Sequence, residues 1–195
     1  MSRSQKILYA FGHLGITLSY QAVSTYVQFF YLDVMKMLPA LMAPAMLIYA
    51  IWNAVNAPLA SYASDPTRTR WGRRTPYVMF LTVPLAIFFA LVWLPQSFGA
   101  LDQNWLFWYF IFALCIFDGL HTTVGLNLLA VFPQMYPGLK ERAEVSSYRQ
   151  VFAIVGSIIG IASPPLVYAA FGWGAMGVLF GAIALVSIFA ARFGM

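Results

Sequence analysis

The sequence is poor in charge and in cysteine, and each shortage excludes a class of protein. Only 9% of its residues are charged and 62% are hydrophobic, whereas about 25% of the residues in soluble domains are charged. This composition predicts an integral membrane protein with the lipid bilayer as its surroundings. The single cysteine, Cys115, excludes a disulfide framework and a cysteine-based metal site.

Motifs of soluble enzymes are also missing. The chain contains no P-loop, no H-E-x-x-H and no G-x-S-x-G sequence. The segment Gly172–Gly177 formally matches G-x-G-x-x-G, but this dinucleotide fingerprint requires a preceding strand, and here it opens an apolar run. We therefore predict that the chain is not an enzyme and needs no cofactor or metal.

Long apolar runs are what the sequence has in abundance. At about 20 residues per span, they predict six transmembrane helices, and hence an all-α membrane protein with one bundle over residues 1–195. No small-residue cleavage site follows the first run, so we interpret it as a retained span rather than a signal peptide. The spans are predicted at about 8–32, 40–63, 76–95, 105–131, 146–169 and 173–191.

The connection between the second and third spans is strongly basic. It begins at Asp65 and carries Arg68, Arg70, Arg73 and Arg74. Short basic loops stay in the cytoplasm, which predicts cytoplasmic termini and a location in the plasma (inner) membrane. The net charge of +5 then reflects topology rather than a nucleic-acid partner. The loop is predicted to act as a cytoplasmic gate, by engaging helix ends, or to fix topology alone.

Polar side chains recur along the first two spans. In the first span they are spaced three or four residues apart, on one helical face that should line a cavity or bond to other helices. This polar stripe consists of His13, Thr17, Gln21, Ser24 and Gln28. In the second, Asn53 and Asn56 share a face near Pro58. They either hold a polar solute or brace a neighbouring helix. We assign the solute path to Thr17, Gln21, Asn53 and Asn56.

Two charged positions lie within the later spans. Asp118 is deep in the fourth span, where a charged carboxyl costs about 2.5–3.5 kcal/mol, and it is therefore treated as functional. With His121 one turn on, it is the candidate proton-coupling site; a purely structural pair is the alternative. Arg149 either extends to the membrane interface or reaches a carboxylate across the bundle.

Several segments together resemble one transporter family. The chain is similar to the amino-terminal half of a major facilitator superfamily transporter of the glycoside-pentoside-hexuronide:cation symporter family, the melibiose permease relatives. This resemblance implies a six-helix bundle that joins a second such bundle, with a sugar and a cation bound between them. The segments are Phe29–Val34, Ile51–Pro58, Asp65–Tyr77 and Ser146–Ala153.

The acidic positions of that family are replaced here. The family's second-span motif, Trp-Asp-x-x-Asn-Asp-Pro, has Asn53 and Ala57 at its carboxylates and keeps Asn56. The acidic positions of the first and fourth spans fall near Thr17 and Gly125. Because the family's cation-binding carboxylates are absent, the sequence favours a proton over sodium as coupling ion.

These observations lead to two hypotheses of function. In the first, the chain is a symporter-like secondary active half-transporter for a sugar-like or other polar organic solute. It lacks the family's carboxyl-terminal bundle, so it must pair with a copy of itself or with a separate six-helix chain. The glycines of the sixth span, Gly177 and Gly181, are candidates for that contact. In the second, it is an accessory subunit or a truncated fragment without transport.

Overall fold

The computed structural model describes residues 2–65, 74–95 and 102–195, and these residues form a helical bundle without β-strands. Helix α1 (Arg3–Phe29) continues into a π-helical turn, Phe30–Val34. The remaining main helices are α2 (Pro39–Ser64), α3 (Thr75–Val92), α4 (Gln103–Met135), α5 (Leu139–Ala162) and α6 (Pro164–Ala191), with a short 3₁₀ turn at Arg192–Gly194.

Length and composition allow five of these helices, α2 to α6, to cross a membrane. Helix α1, which carries the polar stripe noted above, is not among these five. It packs chiefly against α5 and α6. The prediction of an all-α membrane protein is confirmed.

In the structure, α5 ends and α6 begins several residues before the boundary that was predicted between the last two spans. Helix α5 ends at Ala162, because Pro164 and Pro165 have no amide hydrogen to continue its hydrogen bonding. Pro165 cannot donate a hydrogen bond to the carbonyl of Ile161. The Tyr26 hydroxyl donates to that carbonyl instead, at 2.5 Å. The predicted fifth span, 146–169, therefore crosses from α5 into α6. Gly172, at φ 83°, then breaks α6 one residue before the predicted sixth span.

Glycines set the closest helix contacts. A Cβ at Gly156 would lie 2.5 Å from the carbonyl oxygen of Leu14, and one at Gly160 would lie 2.7 Å from that of Leu18. Helix α5 therefore packs with its backbone directly on α1. On α6, Gly177 and Gly181 face α3, where a Cβ would lie 2.9 Å from Trp93 and 3.0 Å from the Ala86 carbonyl respectively. The proposed pairing role of Gly177 and Gly181 is thus replaced by packing inside the bundle.

Replacing Gly156 with Ala is expected to destabilise the bundle by about 1–3 kcal/mol, the usual cost of overpacking. The added methyl group would collide with main-chain atoms of Leu14 and Leu18, which cannot rotate out of the way as a flexible side chain can. Thermal unfolding of the purified chain measures the change. The matched control is Gly125→Ala, since a Cβ there meets only Ile16 at 3.9 Å. Equal melting temperatures for the two variants would contradict this account of the contact.

Six helix ends gather at one end of the bundle, here called the basic end: the starts of α1, α3 and α5 and the ends of α2, α4 and α6. Lys6 of α1 contacts Glu144 at 2.8 Å and Glu141 at 3.3 Å on α5. At the opposite end, the Gln103 side chain donates to the Lys36 carbonyl at 3.1 Å and accepts from the Leu38 amide at 3.0 Å. Side-chain contacts at both ends of the bundle therefore hold its helices in their alternating up-and-down order.

Candidate functional site

Asp118 of α4 is the centre of a polar cluster whose other side chains come mostly from α2. It is 3% exposed. Asn56 donates from Nδ2 to Asp118 Oδ2 at 2.8 Å and to the Asp118 carbonyl at 3.1 Å, and it also contacts Thr122 Oγ1 at 3.0 Å. Asn53 Nδ2 lies 3.5 Å from Oδ2, and the Tyr49 hydroxyl donates to Oδ1 at 3.3 Å. The cluster therefore joins the predicted proton site to both predicted asparagines.

The spacing of the α2 residues explains this cluster. Tyr49, Asn53 and Asn56 are separated by four and three residues, which places them on one face of a helix. Helix α2 packs mainly on α4, so that face meets Asp118. Three hydrogen-bond donors thus satisfy a carboxyl group that would otherwise be buried without partners.

His121 turns toward a different helix. Its Nε2 lies 2.9 Å from the carbonyl oxygen of Ile16 on α1, and its ring stacks on Tyr20 with centroids 5.6 Å apart. Although a spacing of three residues leaves the two side chains only about 60° apart on α4, Asp118 contacts α2 and His121 contacts α1. The predicted carboxylate–imidazole contact is thus replaced by two separate interactions.

A cavity of about 160 Å³ lies between α1, α2 and α4, with Asp118 in its wall. Ser24 and Gln28 of the polar stripe also line it. The four residues assigned to the solute path are not in its wall: Asn56 is buried, Asn53 is exposed, and Thr17 and Gln21 are half-buried. The lining residues are Tyr20, Val23, Ser24, Val27, Gln28, Met46, Tyr49, Leu114, Phe117 and Asp118.

Tyr20 and Tyr49 were missed by reasoning from the sequence, although a signal for each was present. Tyr49 precedes Asn53 by four residues and so shares its face of α2. Tyr20 precedes Ser24 by the same interval on α1. Extending each polar stripe to amphipathic tyrosines would have identified both, because tyrosine combines an apolar ring with a polar hydroxyl.

Arg149 of α5 bonds to an imidazole rather than to a carboxylate, the second of its two predicted alternatives. Its Nε donates to Nε2 of His13 on α1 at 2.8 Å, and its guanidinium lies 4.7 Å from the centroid of the Phe132 ring. Since Nε2 accepts this bond, the His13 ring is neutral with its hydrogen on Nδ1. A half-buried cation is thus stabilised by an imidazole and an aromatic face rather than by a carboxylate.

The basic loop is described only at its two ends. Arg74 contacts Asp65 through Nη2 and Oδ1 at 2.5 Å, and the Tyr77 hydroxyl donates to the Ala63 carbonyl at 2.8 Å. These bonds tie the end of α2 to the start of α3. The other arginines of the predicted gate, Arg68, Arg70 and Arg73, lie outside the described residues.

The sequence is similar to a family of transport proteins and to several of its members. The chain matches the family described as MFS/sugar transport protein over residues 8–195. It is 33% identical to an uncharacterised symporter of Synechocystis sp. over 80% of this chain and 29% of the relative. It is 28% identical to the isoprimeverose transporter of Lactiplantibacillus pentosus over 95% of this chain and 40% of the relative. It is 30% identical to the sodium-dependent lysophosphatidylcholine symporter 1 of Mus musculus over 83% of this chain and 31% of the relative.

Proposed function

The chain belongs to the MFS/sugar transport protein family, and we propose that it is half of a symporter-like secondary active transporter for a sugar-like or other polar organic solute. The observation that carries the proposal is that the carboxyl group of Asp118 is buried among membrane-spanning helices and also lies in the wall of a cavity. An acidic group in such a position costs stability and is retained where it moves an ion or binds a solute. The family relationship supports transport rather than enzymatic activity.

The relatives support the broad class of solute. One is named for a sugar, isoprimeverose, and this supports a sugar-like solute, whereas another is named for the lipid lysophosphatidylcholine. The proposed solute path starts at the cavity around Asp118 and continues toward the basic end past Thr17 and Gln21 of α1. Asn53 and Asn56 of α2 flank it.

Asp118 is the proposed proton site. Its described partners present N–H and O–H groups to the carboxylate, since Asn56 and Asn53 approach through Nδ2 and Tyr49 through its hydroxyl. The resemblance places Asn53 and Ala57 at the positions of the family's cation-binding carboxylates. Their loss supports a proton over sodium as coupling ion.

Pairing with a second six-helix bundle is part of the proposal. The chain spans 29–40% of the length of the relatives described above. Helices α2 and α5 are the least buried of the five candidate membrane spans, with 17% of each span buried, and a second bundle is proposed to cover their apolar faces. The uncovered residues are Leu47, Ile51, Val55 and Leu59 on α2 and Val151, Ile154, Ile158 and Ile161 on α5.

We assign the basic end to the cytoplasm and the chain to the plasma membrane, with both termini inside. Lys6, Arg74, Lys140 and Arg142 all lie at the basic end. This distribution is what the positive-inside rule requires. The basic loop, with Asp65 bonded to Arg74, is proposed to close the cytoplasmic side of the path in one state of the transport cycle.

Native mass tests the pairing. The chain, extracted gently from its own membrane, is expected to migrate as an assembly of two six-helix bundles, either two copies or one copy with a separate chain. Mass spectrometry of the intact assembly identifies the partner. A single unpaired chain, or a complex with an unrelated protein, would contradict the half-transporter and support the fragment or accessory subunit.

A further inference from the structure

A second cavity, here called the basic groove, lies at the basic end, where α2 and α4 finish and α3 and α5 begin. Its volume is about 500 Å³. Two arginines supply the charged part of its wall, and α4 supplies a mainly apolar part. Within the described part of the chain, no acidic side chain lines it. The lining residues are Ser61, Arg74, Leu126, Leu129, Ala130, Phe132, Pro133 and Arg142.

Arg142 is a cation that is fixed in position without an acidic partner. Its Nε donates to the Tyr136 carbonyl at 2.5 Å, and its Nη2 donates to the Pro133 carbonyl at 3.1 Å. Carbonyls at the end of a helix lack amide donors from their own helix, and here the guanidinium supplies them. Among the described residues, Nη1 has no hydrogen-bond partner and no carboxylate forms a salt bridge with Arg142. The group is therefore available to an anion from outside the chain.

Arg74 adds a second cation to the groove. Its Nη2 contacts Asp65 Oδ1 at 2.5 Å, but Asp65 is exposed and lies outside the lining. One carboxylate beside the two arginines leaves an excess of positive charge at the groove. Guanidinium groups bind phosphate oxygens through paired N–H bonds, with a geometry that a single point charge does not provide. The charged part of the wall therefore fits a phosphate group.

The apolar part of the wall fits a hydrocarbon chain. Four of its residues follow one face of α4 at intervals of three and four: Leu126, Leu129, Ala130 and Pro133. Leu129 is 47% exposed. From Pro133 back to Leu126, this face extends about 10 Å along the helix, away from the basic end. A soluble phosphate would leave it in contact with water, whereas an acyl chain would cover it.

We propose that the basic groove binds one anionic phospholipid of the adjacent leaflet, such as phosphatidylglycerol. Its phosphate accepts hydrogen bonds from Arg142 and Arg74, and one acyl chain lies along α4 over Leu129. Basic pockets between transmembrane helices at the membrane surface bind anionic headgroups in this way. The lipid is a resident of the bilayer rather than a transported solute. The inference therefore goes beyond the proposed function and does not depend on transport.

Lipid titration followed by native mass spectrometry tests the site. The purified protein, in its native assembly and depleted of lipid, is mixed with dioleoyl phosphatidylglycerol, dioleoyl phosphatidylcholine or glycerol 3-phosphate. Phosphatidylglycerol is expected to bind about tenfold more tightly than phosphatidylcholine, because the arginines repel the choline cation. Glycerol 3-phosphate, which carries the anionic charge without acyl chains, should not displace it.

Substitutions distinguish the groove from general surface charge. Arg142→Gln and Arg74→Gln are each expected to weaken phosphatidylglycerol binding about tenfold, as for one lost charge-assisted hydrogen bond. The matched control is Lys140→Gln, which neutralises an exposed cation of α5 outside the lining and should not change binding. Leu129→Glu places a carboxylate on the apolar wall and should abolish the preference for phosphatidylglycerol. Because Leu129 is exposed, this variant decides the result if loss of the Arg142 bonds prevents assembly.

Several results would overturn the proposal. Equal binding of the two phospholipids would exclude recognition of the anionic headgroup, and displacement by glycerol 3-phosphate would indicate a site for a soluble phosphate. An unchanged preference in Arg74→Gln and Leu129→Glu, or an equal loss in Lys140→Gln, would place the lipid elsewhere. Failure of a paired assembly to bind phosphatidylglycerol would indicate that the second bundle covers the groove. Solute uptake enters none of these measurements, so absence of transport would overturn the proposed function and leave the lipid site standing.

Discussion

Replacing Asp118 with Asn is expected to reduce proton-coupled solute uptake to the background of membranes without the chain. Asp118 is 3% exposed and is the carboxyl group in the cavity wall. Asparagine has nearly the same size, but it neither ionises nor carries a proton at neutral pH. Proton movement linked to the solute therefore has no carrier at this position.

The measurement is the fall in pH inside sealed vesicles that carry the assembled protein when xylose or glucose is added outside. The control is Asp33→Asn, which neutralises an exposed carboxylate in the π-helical turn at the opposite end of the bundle. Native mass verifies that the Asp118→Asn chain still assembles. Acidification equal to that of the parent would remove Asp118 from the coupling mechanism.

The second large effect is expected at Asn56, which is 4% exposed. Asn56→Ala removes the 2.8 Å bond to the Asp118 carboxylate and leaves Oδ2 with the longer contact from Asn53. Hydrogen bonds to charged groups contribute about 1.5–3 kcal/mol. An average interhelical bond in a membrane contributes about 0.6 kcal/mol. The loss of stability should lie in the higher range, because a buried acceptor loses its best donor.

Thermal unfolding of the purified assembly measures this loss. Asn53→Ala is the matched control on the same face of α2, because Asn53 is exposed and its contact with Asp118 is 3.5 Å long. It should change stability by less than about 0.5 kcal/mol. If the two alanine variants unfold at the same temperature, the short bond from Asn56 does not hold α2 on α4.

Together these contacts give α2 a particular place in the proposed mechanism. It packs mainly on α4 and is tied there by the polar cluster around Asp118, while its other face is apolar and uncovered. A change in the protonation of Asp118 would alter the number of donors it accepts from α2. The proposed pairing surface on α2 thus lies on the same helix as the side chains that hydrogen-bond to the proposed coupling group on α4.

The membrane-spanning bundle and the place of Asp118 within an apolar helix were predictable from sequence alone. Apolar runs of sufficient length specify transmembrane helices whatever their neighbours are, since the bilayer requires every backbone polar group to be satisfied within the helix. A lone carboxyl group among such residues is costly in any packing arrangement. The face shared by Asn53 and Asn56 also follows from helical spacing, which is local.

Only the tertiary structure decided what each face meets. Periodicity places residues on one side of a helix but does not fix the rotation of one helix against another, which depends on packing such as that of Gly156 on Leu14. That rotation directed Asp118 to α2, His121 to Ile16 and Tyr20, and Arg149 to His13. Composition and spacing therefore determined which residues are candidates for a site, whereas the close contacts between helices determined which of them touch.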